Sequence, residues 1–144
     1  MELLSKQIAS IVDKDLPLIS NLSNASAVLN QLENINWCGF YLVDNNHLVL
    51  GPFQGEVACT IIPFDKGVCG ASFREKSTII VPDVNAFPGH IACSIKSKSE
   101  IVTPIIKNDE VVALIDIDSP LLNRFNENDR LLLEEIAAIL SPLF

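Results

Sequence analysis

The sequence predicts an α+β fold in which a central antiparallel sheet is flanked by N- and C-terminal helices. Three observations predict it. Apolar residues recur at helical spacing at both ends of the chain. Between them the period shortens to two, over runs rich in aromatic and β-branched residues. Asp44-Asn45-Asn46 and Lys107-Asn108-Asp109 carry turn residues that return the chain on itself as hairpins, which imposes antiparallel pairing. There is no internal repeat or low-complexity tract, and only Asp15-Leu16-Pro17 reads as a linker. The 144 residues are therefore read as one domain, long enough to bury a substantial core.

Leu4, Ile8, Ile11 and Val12 predict an amphipathic helix over 2–14, and Ala27, Val28 and Leu32 point inward from a second over 24–33. Trp37 to Val43 reads as a strand, His47 to Leu50 as its hairpin partner and Val57 to Ile62 as a third strand. A glycine-rich turn opens a short helix from Gly67 to Lys76, followed by a strand from Ser77 to Val81. Residues 83–99 form a long irregular segment, and loops of that length inside a compact domain are usually functional or mobile. Glu100 to Ile106 and Glu110 to Ile117 form a second hairpin. The closing helix starts near Asn126, an N-cap residue with Asp129 three positions on, and turns Leu132, Leu133, Ile136, Ile139 and Leu140 inward.

Charge excludes several function classes. Ten Lys and Arg stand against eighteen Asp and Glu, a net charge of −8. That balance argues against nucleic acid and against anionic membrane surfaces, both of which need clustered cations. No apolar run approaches the roughly 18 residues of a membrane span. The start, Met1-Glu2-Leu3-Leu4-Ser5-Lys6, lacks a basic stretch followed by an apolar block. A cytoplasmic location is expected.

Side-chain alternation assigns strand faces. Trp37, Gly39, Tyr41 and Val43 share one face of their strand, and Cys38, Phe40 and Leu42 the other. Cys38 thus reads as a buried, inert thiol. The gap at Gly39 between two aromatics is either filled by core packing or open to a ligand. In the last strand Val112, Leu114, Asp116 and Asp118 share a face, with the two carboxylates roughly 7 Å apart. Either the strand end emerges into solvent, or the pair binds a cation or has a raised pKa.

The four cysteines, Cys38, Cys59, Cys69 and Cys93, show no Cys-x-x-Cys spacing. Structural disulfides are not expected in a reducing cytosol. Cys59 reads as a strand residue with Val57 and Ile61 on its face. Cys69 lies at the start of the short helix, where the helix dipole favours thiolate. Cys93 lies in the long loop, three residues after His90. A zinc site made by His90, Cys93, Cys59 and Cys69 is the metal alternative, although the spacing is half of a weak pattern.

The motifs Asn36-Trp37-Cys38-Gly39-Phe40-Tyr41, Leu50-Gly51-Pro52-Phe53-Gln54-Gly55 and Gly67-Val68-Cys69-Gly70 occur in order. The run from Val81 through Asp83-Val84-Asn85-Ala86-Phe87-Pro88-Gly89-His90 to Cys93 follows, with Ser99-Glu100-Ile101-Val102 and Leu114 to Pro120. Together they resemble the free methionine-(R)-sulfoxide reductases, from about Leu16 to the C-terminus. The resemblance implies a single GAF domain over 1–144 and reduction of the R-sulfoxide of free methionine, with protein-bound methionine ignored. By position it makes Cys93 the catalytic cysteine, Cys59 the resolving cysteine that forms a disulfide with it, and Cys69 a third cysteine for recycling. It places Trp37, Tyr41, Glu100, Asp116 and Asp118 around the substrate and gives Cys38 no role. Ser94 stands where many members of the family carry an acid. No bound cofactor and no metal are expected; thioredoxin with NADPH is the external reducing system, and a homodimer through the terminal helices is implied.

The chemistry suits those residues. A Cys93 thiolate would attack the sulfoxide sulfur while Glu100, or one of Asp116 and Asp118, protonates the leaving oxygen. The resulting sulfenic acid would condense with Cys59. The acidic cluster would hold the substrate ammonium, and Trp37 would pack on the S-methyl group. Residues 83–99 are expected to fold over the pocket and to move between the reduced and oxidised forms. The rival readings are a ligand-sensing GAF module without turnover and a redox-responsive zinc protein.

Overall fold

A computed structural model describes residues 2–91, 93 and 95–144. The chain runs α1 (Glu2–Ile11), α2 (Leu18–Leu29), β1 (Trp37–Asp44), β2 (His47–Gly55), β3 (Ile61–Pro63), α3 (Gly67–Glu75), β4 (Ile79–Val81), a 3-10 turn (Val84–Ala86), β5 (Ser99–Lys107), β6 (Glu110–Ser119) and α4 (Glu127–Leu140), ending in a second 3-10 turn (Ser141–Leu143). The strands form one six-stranded sheet in the order β3-β2-β1-β6-β5-β4, with every neighbouring pair antiparallel. No helix among the described residues is long and apolar enough to cross a membrane.

The sheet separates two apolar layers. On one side α1, α2 and α4 bury Ile8, Leu22, Leu29, Leu133, Ile136 and Leu140 against Cys38, Phe40, Ile115 and Ile117. On the other, α3 and the loops cover Trp37, Tyr41, Leu114 and Val102. This is the face assignment expected from alternation in β1, and Cys38 is fully buried with its thiol pushed up to about 12, first by burial and then by the charge of Asp116. In β6 the assignment holds from Ala113 to Asp118 but not before it. The β5–β6 register shifts between Ile105 and Ile106, skipping Val112, so Val111 turns into the second layer and Val112 packs against the first.

Helix ends differ from the sequence reading for local reasons. α1 stops at Ile11, leaving Ile11 exposed, because the buried Asn21 side chain clamps the backbone N–H and C=O of Asp13. α2 starts at Leu18 after Pro17, six residues earlier than expected, and ends at Leu29. Ser and Asn are poor residues for a helix interior, but here Ser23 and Ser26 donate to the carbonyls of Ile19 and Ser23 within the helix. Ala27 faces solvent as a result, while Ala25 points inward. α4 begins as expected, with Asn126 and Asp129 forming a full capping box that contributes about 1 kcal/mol.

The strands near the site depart further. β2 runs on to Gly55, beyond the expected Leu50, and Gly51-Pro52 bulge opposite Phe40. The bulge closes the gap at Gly39: a Cβ there would lie 2.3 Å from the Phe53 Cβ and 2.8 Å from its Cα. No ligand space remains at that glycine. β3 is only Ile61–Pro63, so Cys59 lies on a loop and not on a strand. Gly39→Ala is expected to destabilise the fold by about 1–3 kcal/mol, because backbone and not a flexible side chain must yield. Cys38→Ala should cost less, and urea unfolding of the two variants checks the order.

Candidate active site

The site sits over the sheet face opposite the long helices, and the strand register builds it. Gly55 pairs with Trp37, Trp37 with Asp118, Asp118 with Glu100 and Glu100 with Val81. One row further, Phe53, Gly39, Asp116, Val102 and Ile79 stand in line. Alternation points Trp37, Asp118, Glu100 and Asp116 to the same face. β6 runs to Ser119, which is fully buried, so the carboxylate pair does not emerge into solvent as one reading of the sequence had it.

A cavity of about 210 Å³ opens above this floor. Drug-sized ligands occupy roughly 300–1,000 Å³, so the space suits something smaller. Trp37, Tyr41, Cys69, Cys93, Glu100, Asp116 and Asp118 line it; Cys59 does not, although its neighbours Val57 and Ala58 do. Residues 83–99 do cover the cavity, through His90, Ile91, Cys93 and Ser97. Ser94, singled out in the sequence, lies outside the described residues.

Trp37 stacks on Phe53 at 5.2 Å and on Tyr41 at 6.1 Å between ring centroids. Both polar tips are used. Trp37 Nε1 donates to the Glu56 carbonyl at 3.1 Å, and the Tyr41 hydroxyl donates to the Cys59 carbonyl at 2.8 Å. The aromatics therefore form a wall and also pin the loop that carries Cys59. That loop is joined to the 83–99 segment by a disulfide between Cys59 and Cys93, with Cα atoms 5.5 Å apart. Cys38 and Cys69 are free and buried.

The floor is electrostatically strained. Burial pushes the carboxyls of Glu100 and Asp118 well above the ordinary range, and the charge of Asp116 pushes them further. Burial raises Asp116 too, but hydrogen bonds from Glu100 and Cys69 hold it down. The hydrogen bonds to Asp116 and Asp118 raise Glu100 instead, so Glu100 and Asp118 are pushed furthest toward the neutral form and Asp116 least. The Cys69 thiol donates to Asp116 Oδ2 at 3.5 Å. Burial and the Asp116 charge push that thiol well up, so the expected thiolate at the helix start is overturned: desolvation outweighs the dipole of a short helix. Burial holds His90 below its usual value against the pull of Asp116.

Two buried acceptors on cavity-lining residues, Asp116 Oδ1 and Asn36 Oδ1, have no hydrogen-bond partner among the described residues. Both ask for a donor. Asn36 donates to Ser97 Oγ at 3.2 Å, and neither Asn36 nor Ser97 was singled out as a site residue from sequence. For a cation, the converging donors are Cys69, Glu100 and Asp116, within 4.8 Å of one another. This is not the set weighed from the sequence, in which Cys59 and Cys93 now bond to each other.

The carboxyls give a pH prediction with a definite sign. Their folded pKa values lie above the unfolded ones, so the stability they contribute is fully present below about pH 4 and is lost as pH rises through the folded values. Urea midpoints of the unmodified chain should fall on the alkaline side, and Glu100→Gln should flatten that fall.

The GAF domain family model matches residues 25–143. A free methionine-R-sulfoxide reductase of Saccharomyces cerevisiae is 44% identical, with 98% of this chain and 83% of that protein covered. The reduced form of the Staphylococcus aureus enzyme superposes with a TM-score of 0.94 at 50% identity, covering 99% of this chain and 93% of that one. The Neisseria meningitidis enzyme in complex with its substrate gives 0.93 at 45%, covering 98% and 86%. With this fold and these relatives, the chain belongs to the free methionine-R-sulfoxide reductases of the GAF domain family.

Proposed function

We propose that this chain reduces free L-methionine-(R)-sulfoxide to methionine, with Cys93 as nucleophile and Cys59 as resolving thiol. One observation carries the reading: a disulfide joins these two cysteines at the mouth of a small cavity whose floor is a proton-holding carboxyl cluster. The relatives named as free methionine-R-sulfoxide reductases support it.

The steps balance as follows. The Cys93 thiolate attacks the sulfoxide sulfur, and Glu100 delivers its proton to the oxygen. Oxygen passes to Cys93 as a sulfenic acid, and the sulfur leaves as the thioether of methionine. The Cys59 thiol then displaces hydroxide from Cys93, which takes a proton and departs as water, leaving the disulfide. An external dithiol of the thioredoxin type, drawing on NADPH, reduces that bond by exchange in the reducing cytoplasm. Glu100 is reprotonated from solvent.

The binding groups have separate tasks. Asp116 Oδ1 and Asn36 Oδ1 accept from the substrate ammonium, which supplies the donors they lack. Trp37 and Tyr41 enclose the S-methyl end, where soft sulfur and aromatic faces attract. An ammonium site on a closed floor also explains a free amino acid substrate, because a peptide has neither the charge nor room for its flanking chain. Cys69 keeps its proton and steadies Asp116, and it stands in reserve as a second thiol on the cavity wall.

Turnover with thioredoxin and NADPH is expected on free methionine-R-sulfoxide, and not on the S isomer or a peptide-bound sulfoxide. No turnover on the first, or equal turnover on all three, contradicts the proposal. Cys93→Ser should be inactive. Cys59→Ser should release about one methionine per chain and then stop, because oxygen transfer precedes its step.

A further inference from the structure

The disulfide that closes one round holds two oxidising equivalents. The remaining thiols cannot relieve it as a pair, since Cys38 and Cys69 are buried in different layers on opposite faces of the sheet. The next round needs a dithiol from outside the chain.

The surface beside this bond has a particular character. Among the described residues the two most exposed large apolar side chains are Ile95, 97% exposed, and Val57, 88% exposed. Ile95 lies two positions after Cys93, and Val57 two before Cys59. The segments carrying them are tied by the disulfide and again by the Lys96–Glu56 ion pair at 2.5 Å. Both aliphatics therefore flank the same disulfide, one on each of the two linked segments. Glu56 and Lys96 neutralise each other, so this surface offers apolar contact and little net charge. Exposed aliphatic clusters gain nothing in an isolated chain and mark contact surfaces.

We infer that this is the docking surface for a protein dithiol reductant, an inference that rests on the reductase reading above. Reduction requires a foreign thiolate to come within bonding distance of a sulfur that Ile95 and Val57 flank. The partner's thiolate attacks that sulfur, the Cys59–Cys93 bond breaks, and the leaving sulfur takes a proton. The partner's second thiol then resolves the mixed disulfide, leaving the partner oxidised and this chain reduced by two electrons each. A second copy of this chain cannot serve as the net reductant, because exchange would only move the disulfide from one copy to the other.

Steady-state reduction by thioredoxin, with dithiothreitol in parallel, tests this on Ile95→Ser. The expected result is a fall of about fivefold to tenfold in kcat/KM for thioredoxin, with the dithiothreitol rate within about twofold of the unmodified chain. Ile95→Val should restore the thioredoxin value, and raised salt should change it little. An unchanged thioredoxin value overturns the inference. So does an equal loss with both reductants, or a loss accompanied by a changed oligomeric state in sedimentation. Absence of dithiothreitol-supported turnover in the unmodified chain would instead overturn the reductase reading, and the docking surface with it.

Discussion

Three carboxyl groups in adjacent register rows of a buried sheet face cannot all be ionised, and the site follows from that constraint. Charge in a dry pocket must be neutralised by protons or by a cation. Here burial pushes Glu100 and Asp118 toward the neutral form, while hydrogen bonds from Glu100 and from the Cys69 thiol hold Asp116 down. In the proposed mechanism the same arrangement supplies an acid for the leaving oxygen and a carboxylate oxygen for the substrate ammonium. It costs the fold stability above the acidic range, a cost that the apolar layer under α1, α2 and α4 offsets.

The floor alone would be a binding site. Redox chemistry comes from two loops that the sheet does not contain. Tyr41 and Trp37 reach from β1 to the carbonyls of Cys59 and Glu56, so the aromatic wall also sets the position of the second thiol. Residues 83–99 bring Cys93 across the cavity to meet it. The hydrogen bond from Tyr41 thus ties the cavity wall directly to the Cys59 backbone.

Much of this was legible in the sequence, and the rest was hidden for definite reasons. Alternation put Cys38 and Tyr41 on opposite faces correctly because β1 is regular along its β6 edge. It placed Asp116 and Asp118 together but failed at the start of β6, where the bulge opposite Ile105 and Ile106 reverses Val111 and Val112. Pairing register carries no single-strand signal, so the alignment of Glu100 with Asp118 came only from the resemblance and the structure. Cys59 looked like a strand residue because Val57 and Ile61 flank it at period two; both are exposed, so that period marked no core. Cys69 was misread because its position on a helix was legible and its burial beside Asp116 was not. Asn36 matters through an orphaned oxygen, which no spacing rule reports.

The proposed reduction requires Glu100 to hold a proton at neutral pH. Infrared spectroscopy of the reduced chain reads this directly, through the carbonyl stretch of a protonated carboxyl. The account predicts such a band at neutral pH, weakened in Glu100→Gln and shifted when substrate binds. A spectrum with only ionised carboxylates, or a band that Glu100→Gln leaves unchanged, would contradict it.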